Sequence, residues 1–293
     1  MNVFVTGASG WVASAVVPEL LAAGHTVRGL ARSDASAATV EARCATPVRG
    51  SLREHDLLRA EAERADAVVH LAFPHEDLAD LAGAARAEGE AVAALVSGLD
   101  GTGTPVVAAS GIPMVQGRPA TEEDTITEGP VAARGENEAR LLAGADRGFR
   151  PSVVRLPRSV HGEGDAHGFL PQLVAMFREA GTAMYVGDGA HRWNAVHVRD
   201  AGRLFRAALE DAPAGSALHA VGDEGVPVKD IAEALGARLG LPVTSVEPER
   251  LGFFGVMQTM DHASTAERTR ALTGWTPTQP GLLEDIAAGH YDG

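Results

Sequence analysis

Several residue types that commonly carry chemistry or crosslinks are scarce in this chain. Its 293 residues include one cysteine, one lysine and two tyrosines. The single cysteine, Cys44, excludes an internal disulfide and indicates a reducing compartment. No apolar run approaches the roughly 18 residues of a membrane-spanning helix, so we expect no membrane association. The first apolar strand pattern begins almost at Met1 and leaves no space for a signal peptide, so we expect a cytoplasmic protein.

Positive charge is also in short supply. The chain has 25 Lys and Arg against 39 Asp and Glu, which gives a net charge of −14 at neutral pH. Such a surface repels a phosphate backbone, so we expect no nucleic-acid partner. The length is sufficient for a large core, either in one domain or in one domain with a smaller lobe.

The stretch that organises the rest is residues 3–13, which read Val-Phe-Val-Thr-Gly-Ala-Ser-Gly-Trp-Val-Ala. Three apolar residues predict a short buried strand, two glycines break its period, and a helical pattern follows. Gly7 permits a tight turn, Gly10 leaves room for a pyrophosphate, and Ala13 lets the helix approach the strand. Because N–H groups at a helix N-terminus bind phosphate, this turn predicts a dinucleotide site. The alternative is a purely structural turn in another α/β protein.

Strand and helix patterns alternate along the first half of the chain. The further predicted strands are residues 25–31, 47–49, 67–73, 105–110 and 152–156. The predicted helices include residues 76–99, 131–145, 169–180, 226–240 and 263–272. Regular alternation of this kind predicts a parallel, doubly wound α/β sheet of the Rossmann type.

The pattern changes after Leu156, where a polar loop is predicted over residues 157–168. A short strand is also predicted to begin at residues 241–243. We therefore expect a dinucleotide-binding Rossmann domain in residues 1–156, to which residues 190–222 return. Residues 157–189 and 223–293 are expected to form a small α/β substrate lobe.

Three segments resemble one protein family. Thr6 and the glycine turn are similar to the Thr-Gly-x-x-Gly-x-x-Gly turn of extended and atypical short-chain dehydrogenase/reductases. Residues 66–72 resemble that family's Asp-x-Val-x-His-Leu-Ala strand, and residues 187–200 resemble its Gly-x-Gly…Trp-x-x-Val-His-Val-x-Asp stretch. The chain is thus identified as epimerase/dehydratase-like, which implies a nicotinamide cofactor and a small-molecule substrate. In this family the helix equivalent to residues 76–99 often packs in a dimer interface, which implies a homodimer.

The residues after the second strand predict which nicotinamide cofactor binds. The resemblance places the acid that would bind the ribose of NAD at Ala31. Arg32 and Ser33 follow, and a guanidinium with a hydroxyl suits the 2′-phosphate of NADP(H). The alternative is that Arg32 is only a solvated charge. Asp34 is predicted to cap the next helix.

The remaining cofactor contacts come from the resemblance alone. The family touches the adenine after the third strand and lines the nicotinamide with the backbone after the fourth. The glycine turn and the start of the loop after the sixth strand supply the others. On this sequence the implied contacts are Ser9, Trp11, Val12, Ser51, Leu52, Leu71, Ala72, Phe73 and Pro157.

The catalytic Tyr-x-x-x-Lys motif of the family is absent from the sequence. Tyr185 is followed four positions later by Gly189, and the only lysine is Lys229. The helix that should carry the motif has Arg134 and Glu138 at i, i+4 spacing, which predicts an exposed ion pair. Arginine is a poor proton donor, so the family's catalytic roles do not transfer to these positions.

Ser110, at the end of the fifth strand, is the one triad member that the sequence retains. A serine hydroxyl hydrogen-bonds a carbonyl but does not easily protonate it at neutral pH, so the proton donor must be another group or water. Histidine has a suitable intrinsic pKa, which makes His161 and His75 candidates, and Tyr185 is a weaker candidate. A structural role is the alternative for each of them, and His70 is predicted to be a structural strand histidine. The candidate substrate contacts are Met114, Arg158, His161 and Trp193.

A polar cluster between residues 161 and 167 has side chains that could ligate a cation, but its glycines favour a flexible substrate loop, and we predict no metal. The leading hypothesis is an NADP(H)-dependent oxidoreductase of a small carbonyl or alcohol, with an atypical proton source. Two alternatives stay open. One is a non-redox NADP-binding sensor, and the other is a lyase, isomerase or cyclase that uses His161 or His75.

Overall fold

The computed structural model describes residues 1–74, 80–127 and 132–292. The β-strands are β1 (Asn2–Thr6), β2 (Thr26–Ala31), β3 (Thr46–Arg49), β4 (Ala67–His70), β5 (Pro105–Gly111), β6 (Arg150–Leu156), β7 (Ser159–His161), β8 (Ala183–Val186), β9 (Arg192–His197), β10 (Ser216–His219), β11 (Asp223–Pro227) and β12 (Val243–Val246). The α-helices are α1 (Ala13–Ala22), α2 (Asp34–Ala42), α3 (His55–Arg64), α4 (Leu81–Val96), α5 (Ala132–Leu142), α6 (Phe169–Ala180), α7 (Val198–Asp211), α8 (Val228–Leu239), α9 (Phe253–Gln258), α10 (Glu267–Thr273) and α11 (Leu282–Ala287).

Seven strands form one parallel sheet in the order β10-β6-β5-β4-β1-β2-β3. The chain runs outward from β1 in one direction through β2 and β3, and in the other through β4, β5 and β6. The strand order therefore reverses between β1 and β4, and ligands bind at the carboxyl ends of strands beside such a reversal. The predicted doubly wound Rossmann sheet is confirmed.

Buried apolar side chains cover both faces of this sheet. Val3 and Val5 point to the face packed by α1 and α7, whereas Phe4 points to the face packed by α3 and α4. This alternation follows from the two-residue period of a strand, and it makes β1 apolar on both sides. In the described parts of the chain, no helix combines the length and the hydropathy needed to cross a membrane.

Two small sheets, β11-β9-β7 and β12-β8, lie with α6, α8, α9 and α11 around a separate apolar cluster. We call this part the second lobe. Its central side chain is Trp193, which is fully buried and packs against Phe169 and Phe254 at ring-centroid distances of 6.3 and 6.4 Å.

Three local predictions were wrong. The polar loop predicted over residues 157–168 contains the strand β7. Val160 and His161 of β7 pair with Val196 and His197 of β9. The helix after β2 is capped by Ser33, not Asp34. Ser33 has extended backbone angles, and its Oγ accepts a hydrogen bond from the N–H of Ser36 at 3.2 Å. The predicted fourth strand ends at His70, three residues early.

Candidate active site

The glycine turn between β1 and α1 lies directly against the end of β4. Gly7 has a φ of +69°, and a Cβ added there would lie 2.7 Å from the backbone nitrogen of Ala72. Only glycine fits both restrictions. The N–H of Gly10 donates to the Gly7 carbonyl at 2.9 Å and closes the turn. The turn and the start of α1 thus form a tight backbone cradle of the kind that receives a dinucleotide phosphate.

Two side chains hold this turn. The half-buried Trp11 donates its indole N–H to the carbonyl of Val160 in β7 at 2.8 Å, which ties the turn to the second lobe. Arg43 donates through Nη1 to the carbonyls of Ala8 and Gly10 at 2.6 and 3.1 Å. No local pattern pointed to Arg43, because its contact depends on how α2 packs beside the turn.

The other predicted cofactor residues lie around the same edge of the sheet. Arg32 is exposed just after β2. The Ser33 hydroxyl caps α2 and also donates to Ser36 Oγ at 3.2 Å, so it is shared with the helix. The N–H of Ser51 donates to Glu54 Oε2 at 2.5 Å. Leu52 packs partly into the core, Ser9 and Val12 are half-buried in the turn, and Leu71, Ala72, Phe73 and Pro157 follow β4 and β6.

A small cavity of about 20 Å³ opens where β4 and β5 end. A space of this size holds about one water molecule. Besides those strands, the helices α4 and α5 supply its polar lining, and the strand β6 supplies one apolar residue. The lining residues are His70, Glu88, Val92, Ala108, Ala109, Ser110, Arg134, Asn137, Glu138, Leu141 and Val153.

Arg134 and Glu138 do not form the exposed pair that their spacing predicted. Arg134 binds Glu88 of α4, with an Nη2–Oε1 distance of 3.1 Å, and its guanidinium carbon lies 4.2 Å from the centre of the Phe73 ring. Glu138 is buried and accepts from Arg155 Nε of β6 at 2.9 Å. The prediction failed because α5 packs between α4 and β6, so each side chain meets a partner from another element.

Three of the lining residues have a buried polar atom without a hydrogen-bond partner among the described residues. These atoms are Ser110 Oγ, His70 Nε2 and Glu138 Oε2. The other ring nitrogen of His70 shares a hydrogen bond of 2.7 Å with Thr6 Oγ1. Burial, with the nearby charge of Arg134, lowers the pKa of His70 to about 4. His70 is therefore neutral near pH 7, and this cavity-lining residue keeps one ring nitrogen without a partner among the described residues, which the sequence did not indicate.

His161 does not line this cavity. Its side chain is fully buried, its Nδ1 lies 3.0 Å from Asp285 Oδ2, and its Nε2 lies 3.9 Å from Asp223 Oδ2. The following residue, Gly162, donates its N–H to the Tyr291 hydroxyl at 3.1 Å. These contacts join β7 to the end of the chain. His75 lies outside the described residues.

The predicted substrate residues are dispersed. Met114 is 48% exposed after β5, whereas Trp193 is buried in the core of the second lobe. Arg158 follows β6, and its Nη2 lies 2.9 Å from Nδ1 of His262, a residue that sequence analysis did not select. Among the described residues, no group of three or more His, Cys, Asp or Glu side chains is arranged to hold a metal ion.

Residues 3–221 match the family described as the NAD dependent epimerase/dehydratase family, a description that names a nicotinamide cofactor. An uncharacterized protein of Saccharomyces cerevisiae is 39% identical over 297 residues, covering 99% of each chain. A 3-diazoavenalumate denitrifying reductase of a Streptomyces species is 30% identical and covers 98% of this chain and 99% of that protein.

A solved structure shows the same fold. UDP-glucose 4-epimerase of Thermotoga maritima superposes with a TM-score of 0.81, at 19% identity, over 100% of this chain and 98% of that one. The family match covers the glycine turn, the cavity and the whole seven-stranded sheet. The chain therefore belongs to the NAD dependent epimerase/dehydratase family and is an enzyme of the extended short-chain dehydrogenase/reductase type.

Proposed function

We propose that the protein is an NADP(H)-dependent oxidoreductase that interconverts a small carbonyl compound and its alcohol. The observation that carries the proposal is the cavity at the ends of β4 and β5, which Ser110 and Arg134 both line, at the same edge of the sheet as the glycine turn. A hydroxyl and a guanidinium at this edge of the sheet are suited to a carbonyl oxygen that gains negative charge.

The cofactor, when bound, supplies or accepts the hydride. The choice of NADP(H) over NAD(H) is supported by two arginines at the ends of α2. Arg32 lies just before this helix, and Arg43 lies just after it and binds the glycine turn. A guanidinium binds a phosphate with two parallel hydrogen bonds, and the acid that would favour NAD is replaced by Ala31.

In the proposed reduction, the Ser110 hydroxyl donates a hydrogen bond to the carbonyl oxygen, and Arg134 stabilises the negative charge that develops on it. The proton of the product hydroxyl comes from a water molecule in the cavity, and the hydroxide that remains takes a proton from solvent. His70 Nε2 and Glu138 Oε2 are placed to orient a water molecule there. This arrangement assigns to water the proton transfer that the family's tyrosine performs, while Ser110 holds the carbonyl oxygen by a hydrogen bond.

The test is a Ser110→Ala variant assayed by NADPH oxidation against a panel of aldehydes and ketones. We expect kcat to fall by about 100-fold while the dissociation constant of NADPH stays the same, since one oxyanion donor is lost. Ser152→Ala is the matched control, because Ser152 Oγ is equally buried without a partner but lies on β6 outside the cavity lining. An unchanged kcat in Ser110→Ala would remove Ser110 from the chemistry.

A second prediction concerns the cofactor. Arg32→Gln should weaken NADPH by about tenfold or more and leave NADH binding nearly unchanged, because a charge-assisted hydrogen bond to the 2′-phosphate is lost. Isothermal titration calorimetry with each cofactor measures both constants. Arg53→Gln, at another exposed arginine, is the control for net charge. Equal losses for NADPH and NADH would contradict the assignment of NADP(H).

One observation favours a second candidate, a non-redox NADP-binding protein. Both positions of the family's tyrosine and lysine carry charged residues that are held in ion pairs, Arg134 with Glu88 and Glu138 with Arg155. Tight NADPH binding without oxidation of NADPH by any carbonyl in the panel would support this candidate over the oxidoreductase.

A further inference from the structure

Arg158 has an unusual environment for a charged side chain. It lies just beyond the end of β6, and its side chain hydrogen-bonds among the described residues only with His262, at 2.9 and 3.2 Å from Nη2 to the two ring nitrogens. Its Nε is buried without a partner there. Burial lowers the pKa of Arg158 to about 10, so the guanidinium is still charged at neutral pH.

Other arginines with limited exposure have backbone carbonyls or carboxylates as partners. Arg43 and Arg150 donate to backbone carbonyls, the latter to those of Leu209 and Ala212. Three other arginines form ion pairs with carboxylates, in the pairs Arg134–Glu88, Arg155–Glu138 and Arg192–Asp261. Within the described parts of the chain, Arg158 therefore stands apart as a largely buried guanidinium that meets neither a carboxylate nor a carbonyl.

The charge of this environment limits the ligand. Burial and the charge of Arg158 lower the pKa of His262 to about 3, so His262 is neutral at physiological pH. Arg192 is neutralised by Asp261, with contacts of 3.0 and 2.5 Å from Nε and Nη2. One unbalanced positive charge remains, which matches a monoanion such as a carboxylate rather than a phosphate dianion or a diphosphate.

Aromatic side chains lie beside the guanidinium. The Phe169 ring centre is 5.8 Å from Arg158 Cζ and 6.1 Å from the ring centre of Phe253. Phe253 is 59% exposed, which is unusual for a large apolar side chain, and its neighbour Phe254 is buried. An exposed ring next to a half-buried ring provides a surface on which a flat apolar group stacks.

The position of Arg158 relates this surface to the cavity. Leu156 at the end of β6 pairs with Gly111, the residue after Ser110, and Arg158 follows two residues later. A ligand bound to Arg158 thus lies at the same sheet edge as the Ser110 hydroxyl. The backbone here is fixed as well, because the N–H of Arg158 donates to Asn194 Oδ1 at 2.7 Å, and Asn194 donates to Ser264.

We propose that the substrate is an aromatic, or similarly flat and apolar, carbonyl compound that carries a carboxylate, and that Arg158 binds this carboxylate while Phe169 and Phe253 receive the ring. The inference rests on the proposed oxidoreductase function, since it places the acid beside Ser110. Arg158 then determines substrate specificity, and His262 is a positioning residue because its imidazole holds the guanidinium.

Calorimetry on the NADP⁺-saturated protein tests the binding step without turnover. We expect cinnamate to bind more tightly than cinnamamide, which has the same shape without the charge. In Arg158→Gln the affinity for cinnamate should fall by about 10- to 100-fold, because a charge-assisted hydrogen bond is lost, with little change for cinnamamide. Arg158→Lys should restore part of the affinity, and Arg250→Gln, at an exposed arginine of the same lobe, should have no effect.

Equal binding of cinnamate and cinnamamide to the unaltered protein would overturn the inference, and this comparison needs no variant to fold. Equal affinities for cinnamate in Arg158→Gln and Arg250→Gln would overturn it too. A separate assay follows NADPH oxidation with 4-carboxybenzaldehyde and with its methyl ester, and the acid should have the lower KM. Selective binding of the acid with no oxidation of NADPH would retain the anion site and refute the oxidoreductase function. Oxidation of NADPH by the acid and by its ester with equal KM values would support the oxidoreductase function and overturn the anion site.

Discussion

Replacing Arg155 by methionine is expected to lower the free energy of unfolding by about 3–5 kcal/mol, because the change leaves a buried carboxylate without its partner. Arg155 is 1% exposed and donates from Nε to Glu138 at 2.9 Å. Its Nη1 also lies 3.2 Å from the carbonyl of Glu122 and 3.2 Å from His219 Nε2. Urea unfolding followed by circular dichroism at pH 7 measures the difference.

Two further variants separate the buried pair from loss of charge alone. Arg140→Met removes an i, i+4 pair with Glu136 on the exposed face of the same helix, where the side chains are 72% and 66% exposed. It should cost no more than about 0.5 kcal/mol. The double change Arg155→Met with Glu138→Leu should recover much of the loss, since both members of the buried ion pair are then removed. A loss in Arg155→Met as small as that in Arg140→Met would contradict the account.

The second large effect is on catalysis. Arg134→Met should lower kcat by about 100- to 1,000-fold, because a charge that stabilises the developing oxyanion is removed. The guanidinium is held in place by Glu88 and by the face of Phe73, so it is already oriented before the substrate arrives. Steady-state NADPH oxidation measures kcat and KM, and calorimetry measures NADPH binding.

Arg134→Lys keeps the charge but loses the planar guanidinium that binds Glu88, so its kcat should lie between those of the wild type and Arg134→Met. Arg140→Gln, on the exposed face of α5, should leave kcat unchanged. An unchanged kcat in Arg134→Met together with weaker NADPH binding would make Arg134 a cofactor contact and not part of the chemistry.

Sequence reasoning succeeded where the physics is local. The strand that begins at Val3 is apolar on both faces and Gly7 is forced by a close backbone approach, so β1 and the turn were visible in the residues. The amphipathic helix predicted over residues 169–180 has the observed bounds, because Gly168 and Gly181 flank a clear apolar stripe. Alternation of such elements then specifies the parallel sheet.

It failed where a side chain meets a distant partner. Spacing within α5 pointed Arg134 and Glu138 at each other, but packing gives them Glu88 and Arg155. The contact of His262 with Arg158 joins residues 104 positions apart, and no local pattern encodes it. The position of Ser110 at a strand end could be predicted from the sequence. That Ser110 and His70 line one cavity depends on the register of β4 and β5, which no local pattern encodes.

The contact of Trp11 with Val160 gives the protein a built-in optical reporter. The other two tryptophans, Trp193 and Trp275, are buried in apolar clusters away from solvent. Trp11 alone among the three belongs to the glycine turn, and its indole N–H bridges that turn to β7. Indole emission responds to the polarity and hydrogen bonding of its surroundings. The fluorescence of Trp11 therefore monitors the contact between the Rossmann sheet and the second lobe, and Trp11→Phe supplies the emission spectrum of the two buried tryptophans, which is subtracted.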